Sequence, residues 1–356
     1  MNSNLFISKN NSALSKLGRL LDSEAYKDAK YFIVVDENTY NCCLPMLVGK
    51  VDALERAEFF EVPVGEEAKS LEIASQLWQT LIDCGADRDS VIINLGGGCV
   101  CDLGGFVASG FMRGIRYINV PTTLISMADA AIGGKTAVNL ENVKNPVGFF
   151  SMPQAVCIVP GFLSTLPDME WLAGLFEVIK TLLLSDSVLF NEMISVVSSP
   201  DCFDEKKIWP FVSHCAEFKS NVVMADPREQ SIRKILNFGH TLGHGIESFC
   251  LEEGKPLPHG VCIGLGLIGE LYLSVKKLNL SRKVLDDYCR IVRGMIEIKS
   301  LSLHDTESVM KYIRRDKKNR DGLILCSLIK DVGVPIIDVV VNENEVRDAL
   351  LQLGKL

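Results

Sequence analysis

Four short apolar runs, each closed by glycine or polar residues, constrain the first half of this chain most. They are Tyr31 to Val35, ending in Asp36; Ser90 to Leu95, ending in Gly96-Gly97-Gly98; Tyr117 to Val120, ending in Pro121-Thr122-Thr123; and Ala155 to Val159, ending in Pro160. Helical patterns lie between them, for example Ala74 to Cys84. Strands alternating with helices predict a parallel α/β sheet. Strands with no polar face must be covered on both sides. Ligands of such sheets bind beyond the carboxyl ends of the strands, where the glycine and polar residues stand here.

From about Asp168 onward the pattern becomes helical. Helices are predicted over Glu170 to Leu184, Trp209 to Met224, Asn237 to Cys250, Val261 to Leu278 and Ser281 to Ile296. A β pair, Leu323 to Ile329 and Pro335 to Val341, precedes a last helix over Glu345 to Leu353. At 356 residues the chain exceeds what one core usually serves. Two domains are therefore expected, an α/β domain over residues 1–160 and a mainly helical one over 161–356. Their cleft is the expected place for a small-molecule pocket.

Composition excludes several classes. A net charge of -8 with no basic run argues against nucleic acid as a partner. No stretch of eighteen uninterrupted apolar residues is present, so no membrane span is expected. The polar start, Met1-Asn2-Ser3-Asn4, does not read as a secretory signal. The twelve cysteines scatter without a Cys-x-x-Cys knuckle and read as reduced, mostly buried residues of a cytoplasmic protein.

Two glycine-rich segments point to anionic ligands. Gly96-Gly97-Gly98-Cys99-Val100-Cys101-Asp102 follows a predicted strand and opens a predicted helix, a context that suits a pyrophosphate. The dinucleotide fingerprint fails at its third glycine, where Cys101 stands. Cys99 and Cys101 read as packing residues rather than reactive thiols. Asp129-Ala130-Ala131-Ile132-Gly133-Gly134-Lys135-Thr136 lacks the P-loop spacing, which excludes an ATPase of that kind. Arg113, Lys135, Lys144, Asn145 and Lys180 either converge on an anion or are ordinary charges. Spacing leaves both open.

The chain holds five histidines, and His240, His244 and His259 fall within twenty residues. His240 and His244 are four apart on a predicted helix and share a face. Thr241 stands where a metallopeptidase would carry its glutamate. Glu177 and Lys180 share a face of an earlier helix. One carboxylate with two imidazoles is a common ligand set for a catalytic zinc. A structural ion pair and core or capping histidines are the alternatives.

Taken together these segments resemble 3-dehydroquinate synthases. The resemblance is carried by Gly96-Gly97-Gly98-x-x-x-Asp102-Leu103-x-Gly105-Phe106, Met112-Arg113-Gly114, Pro121-Thr122-Thr123-Leu124, Asp129-x-x-Ile132-Gly133-Gly134-Lys135-Thr136-Ala137-Val138-Asn139, Lys144-Asn145, Gly174-x-x-Glu177-Val178-Ile179-Lys180, Asn237-x-Gly239-His240-Thr241-x-Gly243-His244 and Asp316-Lys317-Lys318-Asn319. It runs in order from about Asp36 to Gly333. It implies a Rossmann-like α/β NAD-binding domain followed by a mostly α-helical domain for metal and substrate. It also implies a homodimer.

The implied reaction converts 3-deoxy-D-arabino-heptulosonate 7-phosphate, a sugar phosphate, to 3-dehydroquinate and phosphate. NAD is used and regenerated, and Zn2+ or Co2+ is the metal. Matched residue by residue, Glu177, His240 and His259 are the metal ligands. Asp36, Asn38, Glu66, Lys69, Gly97, Gly98, Asp102, Thr122, Thr123, Asp129, Lys144, Thr165 and Leu166 match the cofactor site. Arg113, Lys135, Asn145, Lys317 and Lys318 match substrate and phosphate binders. Lys180, Lys219, Arg233, Asn237 and His244 match groups around the substrate's carboxylate, hydroxyls and proton-transfer path.

Two departures stand out. Val261 follows His259-Gly260 where the family often has glutamate, so a supporting interaction at the metal is expected to be missing. Cys101 replaces a frequent glycine beside the cofactor turn. Cyclases acting on sedoheptulose 7-phosphate or glucose 6-phosphate are the nearest alternative, and a silent homologue kept for binding is a more distant one. Retention of Arg233, Asn237 and His244 favours the carboxylate-bearing substrate.

Overall fold

The apolar runs form strands of one sheet in the computed structural model, which describes residues 4–8, 12–141, 143–199, 202–296, 303–315, 319 and 323–353. The chain divides into two units, Met1–Leu166 and Pro167–Leu356. In the first, strands β1 (Asn4–Ile7), β2 (Tyr31–Asp36), β3 (Glu58–Val62), β4 (Val91–Gly96) and β5 (Arg116–Pro121) are followed by a separate hairpin of β6 (Lys135–Leu140) and β7 (Val143–Phe150), then by β8 (Ala155–Ile158). Six strands make one sheet in the order β1-β8-β5-β4-β2-β3, parallel throughout.

Helices α1 (Ser12–Leu21), α2 (Glu37–Cys42), α3 (Leu44–Val48), α4 (Leu71–Asp83) and α5 (Gly98–Gly110) connect them. Every residue of β2, β4 and β8 is buried, as strands covered on both faces require. Phe32, Val34, Ile92, Leu77, Leu81, Leu103, Phe106 and Tyr117 belong to one core cluster. The register pairs Gly96 with Pro121, which brings the ends of β4 and β5 level.

The second unit holds α6 (Asp168–Ser185), α7 (Ser187–Val197), α8 (Glu205–Ala225), α9 (His240–Glu252), α10 (His259–Leu278), α11 (Arg282–Met295), α12 (Leu303–Ile313), the antiparallel pair β9 (Ile324–Asp331) and β10 (Val334–Val341), and α13 (Glu343–Gln352). From Trp171 to Leu184, α6 is buried all round, so it forms the centre of this unit. The helix predicted from Asn237 starts three residues later. Residues Ile232–Asn237 form a separate 3-10 turn, and Gly239, at φ 81°, breaks the chain before His240.

Candidate functional site

In the first unit, the glycine run sits at the end of β4. Gly97 is the N-cap of α5, with no side chain capping its first turn. A Cβ on Gly97 would lie 3.1 Å from Cγ2 of Thr123, and one on Gly98 would lie 3.2 Å from Cβ of Ala130. A side chain at either position would thus be crowded, and the N–H groups of this bare turn form a ready site for an anion.

Beside the turn, Lys69 is 3% exposed and bonds Asp102 Oδ2 at 2.7 Å and Asn145 Oδ1 at 2.6 Å. Burial works against the Lys69 charge, but the Asp102 and Glu66 carboxylates outweigh it and raise its pKa. Asn145, at φ 53°, donates its own position to this network through its backbone N–H, which bonds Asn139 Oδ1 at 2.9 Å. Asn139 in turn donates to Glu66 at 2.8 Å, and Lys144 lies 3.7 Å from Glu66. A cofactor-matched set (Glu66, Lys69, Asp102, Lys144) and the substrate-matched Asn145 therefore form one network.

Thr122 is buried and bonds Gly96 O through its N–H at 3.0 Å, and Thr123 is half-buried next to it. Asp36 spends Oδ1 on capping α2, accepting from Thr39 at 2.8 Å, while Asn38 is exposed in the first turn of that helix. Asp129 lies in the turn Ser126–Ala130, and Thr165 and Leu166 lie at the end of the unit. Lys135 opens β6 and is exposed; Arg113 is exposed at φ 69°, after Met112 at φ 46°. Lys317 and Lys318 lie outside the described residues.

Burial pushes Cys99 up to about 12 and Cys101 well above the usual range.

In the second unit, close packing brings α6, α9 and α10 together. A Cβ on Gly260 would collide with the carbonyl oxygen of Ala173 in α6, and one on Gly266 with that of Gly239. Glycine at these points lets backbones approach to a distance no side chain permits. The result is a cluster of donors. Glu177 Oε1 is 3.8 Å from His240 Nε2 and 3.7 Å from His259 Nε2. His244 joins the other two histidines, with ring nitrogens of all three within 4.8 Å of one another.

The tautomers follow from the outer ring nitrogens. His240 Nδ1 is 3.1 Å from the Phe238 carbonyl, which can only accept, so Nδ1 carries the hydrogen. His259 Nδ1 is 3.1 Å from Glu247 Oε2, with the same consequence. In the neutral rings Nε2 is then the nitrogen that carries the lone pair and can ligate a metal, and both Nε2 atoms stand 3.7–3.8 Å from the same Glu177 oxygen. Donors about 2.0–2.2 Å from one ion lie at most about 4.4 Å apart, so the set fits a zinc-like ion.

Glu177 and Lys180 do form the ion pair that spacing allowed, at 2.6 Å through Oε2 and with both side chains buried. The pair and the histidine contacts use different carboxylate oxygens, so one reading does not displace the other.

Sequence reading missed Glu247. It lies three residues after His244 and seven after His240, on the same face of α9, and that spacing was the available signal. The carboxylate behind His259 comes from α9, while Val261 is buried.

Lys219 is buried in α8, and Arg233 is 2% exposed with Nη1 donating to Pro227 O at 2.8 Å. Asp226 holds the backbone N–H groups of Gln230, Ser231 and Arg233. Burial opposes the charge of Asp226, but these N–H groups and the Arg233 guanidinium lower its pKa. Asn237 donates to Glu229 Oε1 at 2.7 Å. Arg233 and Asn237 thus sit in the folded turn that leads into α9.

The 3-dehydroquinate synthase N-terminal family matches residues 59–173, and the 3-dehydroquinate synthase C-terminal family matches residues 174–319. The 3-dehydroquinate synthase of Parabacteroides distasonis is 36% identical over 95% of this chain and 93% of its own. That of Thermoanaerobacter pseudethanolicus is 34% identical over 93% and 92%.

Among solved structures, 2-deoxy-scyllo-inosose synthase complexed with carbaglucose-6-phosphate, NAD+ and Co2+ superposes with a TM-score of 0.82 at 24% identity, covering 98% of this chain and 96% of that one. The 2-epi-5-epi-valiolone synthase from Streptomyces hygroscopicus with NAD+ and Zn2+ bound gives 0.81 at 24% identity, covering 94% of each. These two share the fold. With both halves of the family and relatives along nearly its whole length matched, the chain belongs to the 3-dehydroquinate synthase family.

Proposed function

We propose that this protein is a metal- and NAD-dependent lyase that converts 3-deoxy-D-arabino-heptulosonate 7-phosphate to 3-dehydroquinate and phosphate, a step of aromatic amino-acid biosynthesis. One observation carries the metal half of this reading: Glu177 Oε1 stands 3.8 and 3.7 Å from the Nε2 atoms of His240 and His259. Glu177, His240 and His259 would hold the ion, and Glu247 and the Phe238 carbonyl keep both imidazoles in the tautomer that ligation needs. Bound there, Zn2+ or Co2+ supplies Lewis acidity to substrate hydroxyls. Bound at the β4–α5 turn, NAD supplies a hydride acceptor that returns the hydride to the same molecule.

The chain's own groups do the rest. The N–H groups of α5 and Gly97 would take the pyrophosphate, and the Lys69–Asp102–Asn145 network fixes the wall beside it. Lys180 balances the second oxygen of Glu177. Lys135, Arg113, Asn145 and the Lys317-Lys318 pair are assigned to the substrate phosphate, as cations suit a dianion. Arg233 is assigned to the substrate carboxylate, with Asn237 and Lys219 on its hydroxyls and His244 as proton carrier. The N-terminal unit is thus read as the cofactor domain and the C-terminal unit as the metal and substrate domain.

Among the described residues, no helix is long and apolar enough to cross a membrane. We place the enzyme in the cytoplasm because its cysteines are free. We also propose a homodimer. β7 is exposed along its length, with Val143 51%, Phe149 43% and Phe150 58% exposed, an apolar strand that a second copy would cover. The function is tested by phosphate release from the heptulosonate phosphate and from sedoheptulose 7-phosphate, with and without chelator. Strong preference for the acid, abolished by chelation, is the expected result.

A further inference from the structure

We propose that Glu270, eleven residues after His259 in α10, is a positioning residue that sets the metal-binding face of α9. The proposal rests on the metal reading of Glu177, His240 and His259. The first N–H groups of a helix lack partners inside it, and a side chain at the N-cap usually takes one of them. α9 has no such side chain, because its N-cap is Gly239.

The N–H groups go instead to one carboxylate from another helix. Glu270 Oε2 accepts from Gly239 N at 2.6 Å, and Oε1 accepts from Thr241 N at 2.9 Å and Leu242 N at 3.1 Å. Glu270 is 0% exposed. A carboxylate buried to that degree persists only with its oxygens bonded, and the helix N-terminus also favours its charge.

The consequence is geometric. His240 lies between Gly239 and Thr241, and both neighbours are anchored by the same side chain. That side chain comes from the helix whose first residue is His259. A serine or aspartate at position 239 would cap α9 without tying it to α10. Glu270 caps it and fixes its rotation and height relative to α10, and so fixes the spacing of two ligands from different helices. Such distances govern metal affinity more sharply than they govern folding.

The test compares wild type with Glu270→Gln and Glu270→Asp. The first keeps the size but turns an amide N–H toward backbone N–H donors. The second keeps the charge but is one methylene short. Cobalt affinity is measured by competition with a chelator, the site's symmetry by the visible absorption of bound cobalt, folding by circular dichroism, and NAD affinity by titration.

Glu270→Gln is expected to fold, to bind cobalt about tenfold or more weakly, and to shift its absorption bands, with NAD affinity within about twofold. Glu270→Asp is expected to fall between. Wild-type affinity and absorption in a folded Glu270→Gln would overturn the proposal. If Glu270→Gln does not fold, Glu270→Asp is judged by the same two readouts; if neither folds, Glu270 is a fold determinant and the proposal falls. Wild-type protein that takes up no cobalt would overturn the metal reading itself, a result distinguishable from the others.

Discussion

Glu247 Oε2 lies 3.1 Å from Nδ1 of His259, and this contact turns the opposite ring nitrogen toward Glu177. A carboxylate behind a ligating histidine fixes its tautomer and raises its basicity. Such partners are worth about 10–100-fold in metal affinity. Glu247→Ala is expected to weaken zinc binding by that order while leaving the helical content unchanged. Equilibrium dialysis against a zinc chelator checks it.

The Lys69–Asp102 pair predicts a second separation of effects. Asp102→Ala leaves the Lys69 ammonium, 4% exposed at its side chain, without its main partner. A loss of about 2–3 kcal/mol in stability is expected. NAD affinity should fall in Asp102→Ala and Lys69→Ala while zinc affinity holds, as paired titrations would show. The pKa of Lys69 is raised in the fold, so the pair's contribution is fully present below its ordinary value of 10.5. It is lost as pH rises through the raised value. Denaturation midpoints of wild type and Asp102→Ala should differ by a constant amount from pH 6 to 9 and converge only in stronger alkali.

Much of this was readable from the chain, for particular reasons. Tyr31–Asp36 and Val91–Gly96 carry no polar face, and burial on both sides is the only arrangement that accommodates them. β3 was missed because Glu58-Phe59-Phe60-Glu61-Val62 lies at the sheet edge, exposed at most positions, with no periodicity that a core imposes. β7 was missed because it contains glycine and proline and each of its residues is exposed.

At the site, the convergence of Glu177, His240 and His259 was legible, but the groups that support them were not. Glu270 looks in sequence like one charge in an apolar helix. Only the approach of α9 and α10 shows that three backbone N–H groups need it. The apolar pattern runs through Asn237 into α9, and a single glycine at 239 does not by itself show that the chain turns there.

Arg233 predicts substrate choice. Its guanidinium is almost wholly buried, beside Asp226 in the turn that leads into α9. On the reading proposed above it also meets the substrate carboxylate, where charge-assisted hydrogen bonds favour an acid over a neutral sugar phosphate. Arg233→Ala should reduce the preference for the heptulosonate phosphate over sedoheptulose 7-phosphate by an amount on the order of 2–5 kcal/mol. The ratio of kcat/KM values for the two substrates measures it.

The cysteines give a chemical check on the glycine turn. Cys99 has its thiol pushed up to about 12, whereas Cys42 and Cys84 are exposed. At pH 8 a thiol with that value is about one part in ten thousand thiolate, against about a quarter for an ordinary one. Iodoacetamide should label Cys42 and Cys84 first and leave Cys99 and Cys101 intact, as peptide mass mapping would show. Early modification of Cys99 would contradict the raised value of its thiol.

The most direct measurement follows phosphate, 3-dehydroquinate and NADH together in one reaction. Purified protein is given zinc, a trace of NAD and excess 3-deoxy-D-arabino-heptulosonate 7-phosphate. Phosphate and 3-dehydroquinate are predicted to appear in equal amounts, far exceeding the NAD present, without net NADH. Chelation should stop both, and zinc should restore them. NADH accumulating in step with product, or equal turnover in metal-free protein, would contradict the account.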